Sequence, residues 1–312
     1  MSGPDEFEQI ARLFRPLTRG APEALGLLDD AAVLPSQPGF DLVVTKDCIV
    51  EGVHFLAGTP PDLIARKLVR VNLSDLAAKA AGPYGYFLAV SWPASFGWPE
   101  REAFAEGLRQ DGDAFGLVLL GGDTTSTPGP LTLSMTMLGW VPAGRAVLRS
   151  GAKAGDLLMV SGVIGDGMLG LAAARGEIAD SDGTLRERYQ APTPRLDLRD
   201  VLRLGASAAC DVSDGLVADV GHIGRASGVG FELDLGRVPL SGAARAWVDA
   251  QPDRAAAIAR LVTGGDDYEV ACTGSTPMPG FTVIGSAVTA VGVATRLDGL
   301  SVDCGAGGWR HG

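Results

Sequence analysis

The chain has 312 residues, 46% of them hydrophobic and 20% charged, with a formal net charge of −11 at pH 7. That length suits about two domains, each able to bury its own core, and the composition is that of an ordinary soluble globular chain. The acidic balance leaves no basic stripe to follow a phosphate backbone, which argues against a nucleic-acid partner.

In chain order, "DEFEQIARLF" spaces Phe7, Ile10, Ala11 and Phe14 as one face of a helix. "MSGPDEFEQI" has no basic or apolar signal region and no apolar run approaches membrane length, so no membrane partner and a cytoplasmic location are expected. "FDLVVTKDCIV" reads as a strand. "PPDLIARKLVRVNLSDLAAKAA" reads as a long helix, started by Pro60 and Pro61 and stopped at Gly82-Pro83. "YFLAVSW" is a strand and "EREAFAEGLRQDGDAF" a helix. In "LVLLGGDTTSTPGPLTLSMTMLG" an apolar strand delivers Gly121, Gly122 and Asp123 to a turn, and a second strand leaves it. "VPAGRAVLRSGAKAGD" is rich in Gly, Ala and charge and makes the best boundary, predicting domains over 1–148 and 149–312.

Beyond the boundary, "DLLMVSGVIG" reads as a strand, followed by helices in "DGMLGLAAARG", "RLDLRDVLRLGA" and "LVADVGHIGRAS". "VGFELDL" is a strand, "GAARAWVDAQPDRAAAIARLV" one helix, and "YEVACTG", "FTVIGSAV" and "VGVATRL" are strands. Strands and helices mix without strict alternation. This predicts an α/β (α+β) chain of two domains rather than a Rossmann or barrel fold.

Residues 165–170, "GDGMLG", satisfy G-x-G-x-x-G between a strand and a helix, but the expected next strand ending in an acidic residue is missing. A tight turn with small residues for close packing is the better reading. No G-x-x-x-x-G-K-[ST] is present. The four cysteines (Cys48, Cys210, Cys272, Cys304) contain no CxxC pair, and three histidines (His54, His222, His311) are too few for a histidine-based cluster.

The acidic residues are more informative. Asp29, Asp30, Asp47, Asp75, Asp123, Asp211, Asp214, Asp266 and Asp267 lie in small-residue turns or at element ends. Singly, Asp30 or Asp214 reads as a helix cap, and Asp75, three residues after Asn72, as its hydrogen-bonding neighbour. As a set among apolar and glycine neighbours, they would repel and raise one another's pKa unless cations were present. Hard oxygen ligands without His or Cys favour Mg²⁺, held by carboxylates, water and substrate phosphates. An acid-lined site that binds polyphosphate implies phosphoryl transfer, with the glycines letting backbone approach a nucleotide.

"DDAAVL", "KDCIVEGVHF", "VNLSDLAAKAAGP", "GGDTTS", "LRSGAKAGD", "DVSDGLVADVGHI" and "GGDDYEV" together resemble the thiamine-monophosphate kinases, in that family's order and over nearly the whole chain. These belong to the superfamily of aminoimidazole ribonucleotide synthetase and selenophosphate synthetase. The resemblance implies transfer of the ATP γ-phosphoryl group to thiamine monophosphate, with several Mg²⁺ ions. It also implies a homodimer, in which an N-terminal mixed sheet pairs across the dimer into a barrel beside a C-terminal α/β domain. Carried over position by position, Asp30, Asp47, Asp75, Asp123, Asp211 and Asp214 resemble the magnesium carboxylates. Thr45 and Lys46 match metal positions that act through backbone oxygens. Gly122, Asp123, Arg149 and Ser213 match nucleotide contacts, with Asp123, Arg149 and Asp211 as the catalytic residues. His54, Asp266 and Trp309 match positions that hold the monophosphate, where a cationic thiazolium suits a carboxylate and an aromatic face. Leu28, Lys46 and Asp266 stand where the family usually has Gly, Thr and Glu, and the Lys46 departure places a cation beside the metals.

Within the superfamily, selenophosphate synthetase should carry an N-terminal reactive cysteine, and none precedes Cys48. The hydrogenase-maturation relative ends in a cysteine-bearing tail, whereas this chain ends "WRHG". Aminoimidazole ribonucleotide synthetase lacks "VEGVHF" with "NLSDLAAKAAGP". A non-catalytic metal- or nucleotide-binding module, and more remotely an NAD enzyme, are the readings from other classes.

Overall fold

A computed structural model describes residues 6–305, which form two compact units. One unit holds the chain up to Leu76 together with Ala81–Gly144; the other holds Ala77–Ala80 and the chain from Arg145 onward. The division thus falls four residues before the expected 148/149 boundary.

The N-terminal unit opens with a short helix α1 (Glu6–Gln9) that widens into a π-helical stretch at Ile10–Phe14. Leu13 and Phe14 are buried, but Phe7, expected on the same face, points to solvent. Then follow β1 (Phe40–Val50), α2 (Pro61–Ala78), β2 (Gly82–Pro93), α3 (Trp98–Phe115), β3 (Val118–Thr127) and β4 (Thr132–Pro142). The sheet order is β1-β4-β2-β3, with β2 and β3 parallel and the other pairs antiparallel. The parallel pair is joined through α3, since parallel neighbours need a crossover.

Asp123 is not at a turn. β3 continues through Gly121, Gly122 and Asp123, pairing Gly122 with Leu88 and Asp123 with Ala89. A Cβ on Gly122 would stand 1.9 Å from the Leu88 carbonyl oxygen, so this glycine is required by the neighbouring strand. Nor do β3 and β4 meet as partners, because β4 inserts between β1 and β2. The two long helices cross where Gly107 faces Asp62 and Ala65. Buried Asp111 of α3 ties them by accepting from Arg66 (3.3 Å) and from both Arg70 nitrogens (2.7 and 2.9 Å) on α2. Trp92 of β2 meets Phe104 of α3 edge-on at 5.6 Å, fixing that helix on the sheet.

The C-terminal unit contains β5 (Leu157–Ser161), α4 (Asp166–Ala174), α5 (Thr184–Gln190), α6 (Arg199–Gly205), β6 (Ala208–Val212), α7 (Leu216–Ser227), β7 (Gly230–Asp234), α8 (Gly242–Asp249), α9 (Arg254–Thr263), β8 (Glu269–Gly274), β9 (Phe281–Val288), β10 (Gly292–Leu297) and β11 (Leu300–Ser301). Its seven strands run β11-β10-β7-β9-β5-β8-β6, with β7 and β10 the parallel pair. Alternate strand residues serve two cores. Leu158, Val160, Cys210 and Val212 pack with Leu216, Val220 and Leu261, while Met159, Ala209, Val270 and Cys272 pack with Leu202 and Met278.

Three expectations change here. The helix expected over 242–262 is two, because Pro252 interrupts the pattern and Asp253 caps α9, accepting from Ala256 N at 3.0 Å. The helix expected over 195–206 begins as a 3₁₀ turn at Leu196–Leu198 before α6. "TLRERYQ", for which no element is expected from the sequence, forms α5, burying Leu185 and Tyr189. No helix among the described residues is long and apolar enough to cross a membrane.

Candidate active site

The N-terminal unit gathers carboxylates on β1 and α2. Strand alternation sends Thr45 and Asp47 to one face of β1 and Lys46 to the other. Asp75 of α2 accepts from the Thr45 hydroxyl. The Asp47 carboxyl is pushed up to about 6, chiefly by burial and then by the Asp75 charge. One turn before Asp75, the buried Asn72 amide donates to the Leu68 carbonyl at 2.8 Å, not to Asp75, and its Oδ1 has no hydrogen-bond partner. The expected cation beside these groups is corrected: Lys46 Nζ donates to Ser134 (2.8 Å) and Thr136 (3.4 Å) of β4 on the opposite face.

Asp30 and Asp123, both exposed, border one cavity of about 380 Å³, together with Gly122 and the apolar Phe14, Leu88 and Leu120. Leu28 just before it has φ −115°, which asks nothing of glycine. His54 lies in the turn after β1, outside that lining. Its Nδ1 accepts from Val50 N at 3.1 Å, which leaves the ring proton of the neutral form on Nε2.

The C-terminal unit builds a second group around "DVSDG". Asp211 is buried at the end of β6, and Ser213 and Asp214 form the turn into α7. Asp219, one turn into α7, folds back so that a single carboxylate oxygen accepts from Ser213 N (3.1 Å), Asp214 N (3.0 Å) and Gly215 N (3.1 Å). Burial, then the Asp214 charge, pushes Asp219 up to about 7 despite those donors. Ligand atoms of Asp214, Asp219 and His222 all lie within 4.8 Å of one another. The exposed Arg149 guanidinium is near enough to act on both Asp219 and His222, whose pKa is lowered by burial, Arg225 and Arg149. Arg149 thus stands near Asp219, whose carboxylate holds the Ser213–Asp214 turn. Asp219 and His222 stand on one helix face at i and i+3, a spacing common in amphipathic helices and so no signal by itself in the sequence.

The "GGDDY" loop is tied to this turn, with Asp266 N donating to Ser213 O at 2.9 Å and Tyr268 N to Val212 O at 2.8 Å. Asp267 is buried and accepts from Gly165 N and Gly167 N at 2.9–3.0 Å. It occupies the α4 N-terminus where a dinucleotide phosphate would bind. A Cβ on Gly167 or Gly170 would come within 2.3 Å of backbone oxygens, so the "GDGMLG" glycines serve packing. Beside it, fully buried Glu269 is held by Arg188, Arg195 and Ser161. Trp309, expected at the monophosphate, lies outside the described residues.

The donor set fits Mg²⁺. In the N-terminal unit it consists of hard oxygens, with Asp47 held next to the Asp75 charge and a buried orphan oxygen on Asn72, and in the C-terminal unit His222 adds a ring nitrogen to Asp214 and Asp219.

Two family models match the chain: AIR synthase related protein, N-terminal domain, over residues 28–141, and its C-terminal domain over 153–270. A thiamine-monophosphate kinase of Caulobacter vibrioides is 55% identical over 321 aligned residues, covering 99% of this chain and 91% of that protein. The crystal structure of a thiamine-monophosphate kinase from Stenotrophomonas maltophilia superposes with a TM-score of 0.81 at 38% identity, covering 94% of this chain and 96% of the other. AaThiL complexed with AMPPCP and TMP gives a TM-score of 0.80 at 29% identity, covering 91% of each chain.

Proposed function

The chain belongs to the thiamine-monophosphate kinase family, and we propose that it transfers the γ-phosphoryl group of ATP to the phosphate of thiamine monophosphate, giving thiamine diphosphate. The observation that carries this reading is the cavity bordered by Asp30, Gly122 and Asp123, in a chain 55% identical over nearly its whole length to a protein of that name.

Asp30, Asp47, Asp75 and Asp123, with Thr45 and the Lys46 main chain, would hold Mg²⁺ in the N-terminal unit, and Asp211 and Asp214 in the other. When bound, such ions neutralise charge on the transferring phosphates. The chain's own work is positioning. Gly122, Asp123 and Ser213 contact the nucleotide, and Arg149 offers a planar fork of donors to a phosphate. His54, Asp266 and Trp309 hold the acceptor, with the Asp266 carboxylate facing its cationic ring.

The acceptor phosphate is already ionised near neutral pH, its second pKa being about 6, so no strong general base is required. A direct in-line displacement at the γ-phosphorus follows. The edge strand β1 exposes Leu42 (42%) and Val44 (55%), which supports a homodimer formed along this strand; light scattering at micromolar concentration checks it.

The test is chromatography of the products after incubation with ATP, Mg²⁺ and thiamine monophosphate or other monophosphorylated metabolites. Thiamine diphosphate should form. Phosphorylation of a different metabolite alone, or tight metal and nucleotide binding without turnover, would contradict the reading.

A further inference from the structure

The loop Gly264–Tyr268 between α9 and β8 holds two non-glycine residues in the left-handed region, Asp266 (φ 67°) and Tyr268 (φ 53°). L-residues adopt this conformation at a cost in free energy, and it persists only where the surroundings over-determine it. Here they do. Asp267, between the two, is buried with its carboxylate on Gly165 N and Gly167 N. The backbone amides of Asp266 and Tyr268 are both bonded to the 212–213 segment. Gly265 packs so closely that a Cβ there would lie 2.5 Å from Ser213 O.

The strained path brings one pair of side chains together: the Tyr268 hydroxyl donates to Asp266 Oδ1 at 2.8 Å. In an extended segment, side chains two apart run side by side from the same face. The left-handed turn instead lets the longer ring reach back to the end of a short carboxylate. A hydrogen bond to an ionised acceptor is among the stronger and more directional ones, so it fixes the carboxylate's rotamer as well as its place.

We propose that Tyr268 is a positioning residue that sets affinity for the cationic ring of the acceptor by orienting Asp266. This rests on the reading of Asp266 as the carboxylate that faces that ring. The neighbouring Ser213–Asp214 turn is held by Asp219 and by the backbone amides of Asp266 and Tyr268, none of which uses the phenol hydroxyl, so its loss leaves the nucleotide side of the site intact.

Tyr268→Phe keeps the ring and the backbone and removes only the hydroxyl. KM for thiamine monophosphate should rise about tenfold, as for one lost charge-assisted hydrogen bond, with kcat and KM for ATP within about twofold. Inhibition by the analogue whose thiazolium is replaced by a neutral thiophene ring should not change, and adding Tyr268→Phe to Asp266→Asn should cause no further loss. An unchanged KM, equal losses for the charged and neutral ligands, a parallel rise in KM for ATP, or additive effects in the double variant would overturn the assignment. Wild-type protein that turns over ATP but never phosphorylates thiamine monophosphate overturns the underlying reading, and this inference with it.

Discussion

On the proposed reading single residues act mainly as oxygen donors, and two tests belong to them. Asp123 sits in β3 with its side chain exposed at the cavity. Asp123→Asn keeps the size and the strand while losing the charge, so activity should fall by roughly a hundredfold or more with the melting temperature unchanged. Wild-type turnover would reduce Asp123 to a strand residue. Asp47, pushed up to about 6, gives a pH signature of definite sign. Without metal it binds its proton more tightly folded than unfolded, so its contribution to stability falls as pH rises from about 4 to about 6 and is flat above. Mg²⁺ selects the ionised form, so binding should weaken as pH falls through about 6 and release protons there. Calorimetry in buffers of different ionisation enthalpy reads this directly, and pH-independent binding would contradict it. Most of these aspartates were legible because they stand among glycines and apolar residues, where a carboxylate needs a reason. Asp219 was not, because "LVADVGHI" reads as an ordinary amphipathic helix; only the fold shows its carboxylate turned back onto three amides. The Lys46 side chain follows from strand alternation, which puts it opposite Thr45 and Asp47.

Among the elements, α2 was readable from its periodicity and its proline start, α3 from its periodicity, and β1 from its β-branched run. Their fit depends on Gly107, where a Cβ would stand 2.3 Å from Asp62 O, a backbone atom that cannot swing aside. Gly107→Ala should therefore destabilise by about 1–3 kcal/mol, although alanine is the better helix former. Thermal denaturation would show it, and an unchanged or raised melting temperature would mean that the helices are not packed so closely. The elements that escaped reading share a cause. All five residues of β6 are buried, so it shows no alternation. The short α5 carries five polar residues in seven and is recognisable only by what Leu185 and Tyr189 touch. The extension of β3 through Gly121 and Gly122 contradicts glycine's usual role as a strand breaker and follows from the pressure of Leu88 on that side.

For the whole molecule, the mixed α/β character and the two-unit division were legible from the order of patterns and the Gly- and Ala-rich stretch near 145–150. The sheet orders were not, since β4 entering between β1 and β2 leaves no local mark. The groups proposed above are Asp47, Asp75 and Asp123 in the first unit and Arg149, Ser213 and Asp214 in the second. None of these assigned groups is a histidine or cysteine available as a covalent phosphate acceptor, and the aspartates are assigned as ligands. On the proposed reading the phosphoryl group passes once, directly from ATP to the acceptor phosphate. The most direct measurement is the stereochemical course at phosphorus when ATP carrying a chiral γ-thiophosphate is used with thiamine monophosphate. Direct transfer gives thiamine diphosphate with inverted configuration at the transferred group; retention, or no transfer to thiamine monophosphate at all, would contradict it.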